Sequence, residues 1–142
     1  MGQQQLLLII LGVIIVGIAI AVGLNLFQQG SIGANQDAMI SDVMNIASHA
    51  DQWRIRPTAM GGGDGDFTGY MALFNADDQG AGGLTRLSDT GNGEYEITAE
   101  SATSITILGT SKLGFGTVTL EYTPSNPEET RYVWGGTHEG GI

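Results

Sequence analysis

The stretch LLLIILGVIIVGIAIAVGL, residues 6–24, contains no charged and no polar side chain. A helix of about this length crosses the hydrocarbon layer of a bilayer. A helix in a soluble domain is usually apolar along one stripe only, and no charged side chain occurs in this chain before Asp37. We therefore expect this segment to lie in lipid or against other copies of itself.

The composition leaves room for that helix and one small domain, since the chain has 142 residues. Five basic residues stand against 15 acidic ones, and the resulting net charge of −10 argues against nucleic acid as a partner. The chain has no cysteine, which excludes disulfides and thiol chemistry.

The orientation of the span is open, because Lys and Arg on the cytoplasmic side normally set it and the first basic residue here is Arg54. Either the segment inserts without that signal, or a basic leader has been removed and Met1 is the first residue of the mature chain. We favour the second interpretation. A cleaved secretory signal is the rival, since Ala19-Ile20-Ala21 resembles a cleavage site, but a charged region before the apolar run is missing.

Small residues recur within the apolar run. Gly17 with Ala21, and Ala19 with Gly23, are pairs of small residues four positions apart, and Gly12 precedes them. Such pairs let helix backbones approach closely, although glycine is also common in membrane helices generally. Polar and glycine residues at 25–33 weaken the helix, and we expect any bend or loosening there.

From residue 34 the pattern changes to an amphipathic helix with one apolar stripe. Asp42 and His49 fall on the opposite, polar face, and we expect His49 to be solvated. Pro57 should end the helix. The stripe that should seat the head on the helix consists of Met39, Ile40, Val43, Ile46, Ala47, Ala50 and Trp53.

The remainder predicts a β-rich head, residues 58–142, after a helical region at 1–57 that divides into 1–33 and 34–57. Residues 61–66, GGGDGD, suggest a flexible connector, 67–74 a strand or a short helix, and 75–83 a loop. Alternating apolar and polar residues indicate an antiparallel sheet with one solvated face. In the segment 94–100 the side chains predicted to face inward are Tyr95, Ile97 and Ala99, and those predicted to face outward are Glu94, Glu96, Thr98 and Glu100. The candidate strands are 84–88, 94–100, 103–109, 115–122 and 131–134. The fold class is therefore α+β, with the helix stripe as partner layer of the sheet.

No catalytic motif appears, so we expect neither enzymatic activity nor a cofactor. The two histidines are far apart and lack the spacing of a metalloenzyme. Asp64, Asp66, Asp77 and Asp78 are weak candidates for Ca²⁺ ligands, because carboxylate oxygens suit that ion but no complete EF-hand loop is present.

An apolar N-terminal helix that continues into an amphipathic half and then a small β-rich head resembles the type IV pilin family. The resemblance rests on residues 1–57 and on the architecture of the rest. It implies that a prepilin peptidase removes a basic leader and that Met1 becomes N-methylated. It also implies a single-pass inner-membrane protein that assembly machinery extracts into a filament of identical subunits at the cell surface, with adhesion among the family's roles. The assembly residues would be Gln5, Leu6, Leu7, Gly12, Gly17, Ala21 and Gly23.

Departures from the family pattern make this a divergent example. The family usually has glutamate at the fifth mature position, where this chain has Gln5, and cleavage after Gly2 would place Leu7 there. A proline common near position 22 is replaced by Val22 and Gly23, and the C-terminal cysteine pair is missing. Two alternatives therefore stay open: a minor pseudopilin of a secretion system, and a single-span envelope protein whose head binds a ligand or partner.

Overall fold

The structure, a computed structural model, describes residues 2–75 and 85–135. The chain divides into two compact units, Met1–Ala34 and Asn35–Ile142. The first unit is helical from Gly2 onward, and the second contains the rest of the helix and a small sheet.

Helix α1 runs over Gly2–Ile55, 54 residues. The backbone stays helical through residues 25–33, so the expected loosening is not seen there. Glycines weaken a helix but keep their N–H groups, whereas a proline would remove one from the hydrogen-bond ladder. The helix ends two residues before Pro57, in agreement with the sequence prediction.

The glycine-rich segment 61–66 caps the end of α1, and the prediction of a flexible connector was wrong. The N–H of Gly63 donates to the Trp53 carbonyl at 3.0 Å, and the N–H of Gly65 donates to the Arg54 carbonyl at 2.7 Å. Gly61 and Gly65 have φ values of +76° and +99°, a region that glycine enters without strain. The N–H groups of Gly63 and Gly65 therefore bond carbonyls in the last turn of the helix, and the Trp53 carbonyl also accepts a hydrogen bond from the Arg56 N–H at 3.2 Å.

Among the described residues, a 3-10 turn at Thr58–Met60 and two short α-helices lie between α1 and the sheet. Residues Tyr70–Asn75 form helix α2. Of the two alternatives left open for 67–74, the short helix is therefore correct and the strand is not. Helix α3 covers Thr85–Ser88 where a strand was predicted, so that prediction was wrong. Leu87 packs against the core, which a single helical turn achieves without a neighbouring strand.

In the part of the chain that the structure describes, four strands form an antiparallel meander in the order β1-β2-β3-β4. Their bounds are β1 Gly93–Glu100, β2 Ile105–Ser111, β3 Thr117–Tyr122 and β4 Arg131–Gly135. In the register, Ile97 lies opposite Ile107, and Ile107 lies opposite Leu120. All three side chains are buried, so the alternation read from the sequence is confirmed for this face.

A register shift near the end of β1, between Ile97 and Ala99, reverses the predicted alternation. Ala99, predicted to face inward, is exposed, and Glu100, predicted to face outward, is half-buried. An extra residue in one strand turns the following side chains to the other face. The Glu100 carboxylate accepts hydrogen bonds from the N–H groups of Gly69 and Met71 at 2.9 and 2.7 Å, at the start of α2.

The core lies between the second half of α1 and the inner face of the sheet, so the described residues form an α+β fold with a long helix on an antiparallel sheet. Most of the predicted stripe is fully buried there, while Ile40 and Trp53 are half-buried. Helix α2 adds Tyr70 and Phe74 to this core. The buried stripe residues are Met39, Val43, Ile46, Ala47 and Ala50.

Candidate functional site: an exposed apolar helix and a polar joint in the head

The first half of α1 presents apolar side chains in every direction. The large apolar side chains from Leu6 to Phe27 retain 52–76% of their accessible surface. By length and composition, α1 is the one helix among the described residues that could cross a membrane. Exposed apolar surfaces of this extent are typical of sites that contact lipid or another chain.

The glycines in this segment have no packing role within the described chain. A Cβ added at Gly12, Gly17 or Gly23 would meet no described atom within 4 Å. Each costs about 1 kcal/mol of helix stability relative to alanine. At 3.6 residues per turn, Gly12, Gly23 and Gly30 lie within about 20° of one another around the helix axis. One side of the helix is thus narrow enough for another backbone to approach.

The other predicted assembly residues also lie on this surface. Gln5, Leu6, Leu7 and Ala21 are exposed residues of α1. Met1, the predicted site of processing and N-methylation, lies outside the described residues.

A polar joint links the second half of α1 to the sheet, and the sequence did not reveal it. We define it as Asn35, Asp42, Thr90, Asn92, Tyr95 and Ser111. Its centre is Oδ2 of Asp42, which accepts hydrogen bonds from the hydroxyls of Thr90 at 2.8 Å and Tyr95 at 2.9 Å. The Asn92 side-chain amide donates to the same atom at 3.0 Å. Burial raises the pKa of Tyr95 above its ordinary value, so the hydroxyl keeps the proton that it donates.

Asn35, which precedes Asp42 in α1, adds two more hydrogen bonds to the polar joint. Its amide nitrogen donates to the Asn92 carbonyl at 3.2 Å, and its amide oxygen accepts a hydrogen bond from the Ser111 hydroxyl at 2.8 Å. Asn35 and Ser111 are both buried. The joint therefore fixes the register of the helix against the sheet, because a slipped helix would leave these buried polar atoms unpaired.

His49 is not a solvated side chain, so that prediction was wrong. Its Nδ1 lies 2.8 Å from the Tyr70 hydroxyl, and the imidazole is half-buried. Burial lowers the pKa of His49, and the positive charge of Arg56 lowers it further. A neutral imidazole can accept a hydrogen bond from the Tyr70 hydroxyl, which makes His49 part of the contact between α1 and α2.

The described calcium candidates do not converge. Asp64 is exposed, and Oδ1 of Asp66 accepts hydrogen bonds from the N–H and the hydroxyl of Thr68 at 2.7 and 2.6 Å. These bonds lower the pKa of Asp66. Within 2–75 and 85–135, no three metal-binding side chains cluster, and Asp77 and Asp78 lie outside the described residues.

A polar groove opens on the outer face of the sheet. Thr106, Glu121 and Arg131 lie side by side across β2, β3 and β4. We call this the outer groove; its volume is about 310 Å³, and the lining is Ser104, Thr106, Glu121, Thr123, Glu129 and Arg131. Its residues come from β2, β3 and β4, from the positions just before β2 and just after β3, and from a 3-10 turn, Pro127–Glu129. Because these positions are far apart in the chain, no local sequence pattern predicts the groove.

Comparisons of the chain with protein-family models, curated proteins and solved structures found no match. The class of protein is therefore defined by the fold alone: a long N-terminal apolar helix joined to a small antiparallel sheet. That architecture is compatible with the resemblance to type IV pilins.

Proposed function

We propose that this chain is the structural subunit of an extracellular filament similar to a type IV pilus. In this proposal α1 anchors the chain in a membrane before assembly and later forms the filament core with the helices of other subunits. The acidic heads face water. No cofactor, enzymatic activity or nucleic acid enters this function.

The observation that carries the proposal is the all-round exposure of residues 6–27. A segment of 19 apolar residues is about 28 Å long as a helix, close to the thickness of a hydrocarbon layer. Lipid can cover it before assembly. Outside lipid, only other apolar surfaces can replace the acyl chains, and identical helices from neighbouring subunits provide them on all sides.

The exposed glycines support association of helices over a single isolated span. In a membrane, helices gain little from burying leucine, so they associate through close backbone packing at small residues. Gly17 and Ala21 lie one turn apart, and Gly12, Gly23 and Gly30 share a side of the helix. A helix that stayed isolated in lipid would lose helix stability at these glycines and would gain no packing against a second helix in return.

The polar joint supports a head that acts as one rigid body with the second half of α1. Asp42 and Asn35 hold the helix to β1 and β2 through hydrogen bonds, while the apolar stripe fills the core. A subunit that repeats in a filament needs such a fixed geometry, because each contact must recur identically along the polymer.

A single-span envelope protein with a binding head is the second candidate, and the outer groove is the observation that favours it. Such a protein would keep α1 in lipid and use the head alone. Shearing separates the two candidates. Material sheared from cells that produce the chain should contain filaments, with this chain as their dominant protein by mass spectrometry. Recovery of the chain only from detergent extracts of membranes, never from sheared material, would contradict the filament proposal.

A further inference from the structure

The described cationic side chains of the head differ in whether they have an acidic partner. Arg54 pairs with Asp51 at 2.8 Å and lies over the Phe67 ring at 5.3 Å, and Lys112 pairs with Asp89. The guanidinium of Arg56, an exposed residue just after α1, makes no ion pair with any described residue. Apart from Arg131 in the outer groove, Arg56 is the unpaired cation among the side chains that the structure describes.

The outer groove, in contrast, has more acidic than basic side chains. Glu121 and Glu129 contribute two carboxylates and Arg131 contributes one guanidinium, so one negative charge is left over. Ser104, Thr106 and Thr123 add hydroxyl groups that can accept hydrogen bonds. One added guanidinium would balance the charge, and its fork of N–H groups matches a carboxylate in a bidentate pair.

We infer that the outer groove of one copy receives Arg56 of a second copy. This inference rests on the proposed filament and names one contact between its heads. The charges favour a copy of this chain as the occupant. With a net charge of −10 per chain, neighbouring heads repel each other, and a free arginine facing a groove of net negative charge lowers that repulsion.

The positions of the two partners fit a polymer. Arg56 follows the helix that packs on the inner face of the sheet, whereas Thr106 and Glu121 alternate with buried residues and project from the outer face. The contact joins two different patches, so it is heterologous. Each copy keeps one free patch after pairing, and the contact can repeat from subunit to subunit.

Cross-linking tests this contact directly, because the chain has no cysteine of its own. The doubly substituted chain R56C/E129C is treated, as sheared filaments, with a short bifunctional thiol reagent. We expect a ladder of covalent dimers, trimers and longer species, since each copy carries both halves of the contact. R56C/E128C is the matched control: Glu128 lies in the same 3-10 turn but does not line the groove, so its ladder should be much weaker.

Charge exchange provides a second readout. R56E and E129R should each lower the yield of sheared filaments about tenfold, because each places like charges together. The double variant R56E/E129R should restore most of that yield. E128R should leave the yield close to that of the natural chain.

The outcomes separate this inference from the function on which it rests. If the natural chain forms no filaments, the proposed function fails. If filaments form but R56C/E129C gives no stronger ladder than R56C/E128C, the Arg56 contact is overturned and the filament stands. Loss of filaments in E129R without rescue by R56E, together with disassembly by a chelator, would assign the groove to a divalent cation and also overturn the contact.

Discussion

The Tyr95 hydroxyl on β1 lies 2.9 Å from Oδ2 of Asp42 on α1, 53 residues earlier in the chain. The same carboxylate oxygen also accepts hydrogen bonds from Thr90 and Asn92. One acidic side chain on the polar face of the helix therefore organises the beginning of the sheet.

Replacing Asp42 with alanine should destabilise the head by about 3 kcal/mol, because three donors lose their acceptor and the buried Tyr95 hydroxyl is left unpaired. Chemical denaturation of the full chain in detergent, followed by tryptophan fluorescence, measures the loss. Asp37→Ala is the control, since Asp37 is an exposed residue of the same helix, and it should change stability by no more than about 0.5 kcal/mol. Equal losses of stability in Asp42→Ala and Asp37→Ala would show that the polar joint does not stabilise the head.

Stability should fall as the pH is lowered through the range in which His49 titrates. Burial and Arg56 lower the pKa of His49 from its ordinary value of 6.5. Between the pKa of His49 in the folded chain and that in the unfolded chain, the unfolded chain binds the proton more readily. The stability that neutral His49 contributes is therefore fully present above pH 6.5 and is lost as the pH falls towards the pKa of His49 in the folded chain.

His49→Gln tests this pH dependence, because the glutamine side chain keeps an acceptor for the Tyr70 hydroxyl without titrating. The free energy of unfolding of this variant should change less with pH just below 6.5 than that of the natural chain. An unchanged slope in the variant would show that other groups cause the dependence.

Gly63→Ala should destabilise the cap of α1 by about 2 kcal/mol or more, since overpacking forces the backbone to move. The added Cβ would lie 1.9 Å from the Asp66 carbonyl oxygen and 2.6 Å from the Trp53 ring. Gly91→Ala is the matched control, because a Cβ there meets no described atom within 4 Å. Thermal unfolding monitored by circular dichroism compares the two, and equal midpoints would contradict the capping role of the 61–66 segment.

The periodic parts of the sequence predicted the fold, and the exceptions have local causes. The stripe from Met39 to Trp53 and the alternation in β1 to β3 indicated which faces form the core. Ala99 and Glu100 were misassigned because a register shift depends on strand pairing, which a single strand does not encode. The segment 61–66 was misread because glycines serve flexible linkers and tight caps equally well.

The candidate site divides in the same way. Residues 6–24 are visible from hydropathy alone. The roles of Asp42 and His49 were missed because a polar helix face looks solvated until Tyr95 and Tyr70 are brought against it. The outer groove depends on the register of three strands, so it could be found only from the structure.

Gly17→Leu should reduce filament yield while leaving membrane insertion intact, because leucine is more apolar but prevents close approach of a second helix. Val16→Leu controls for added bulk at an adjacent position that already carries a large side chain. Comparing sheared and membrane fractions measures both effects. An undiminished yield of Gly17→Leu filaments would contradict close packing at this position.

Electron cryomicroscopy of sheared filaments shows whether the apolar helices of different subunits touch. We expect a helical polymer in which residues 6–27 of every copy contact the same segment of neighbouring copies and the acidic heads form the outer surface. A functional form of the protein in which this segment is surrounded only by lipid, with no second copy against it, would rule out a filament core built from this helix.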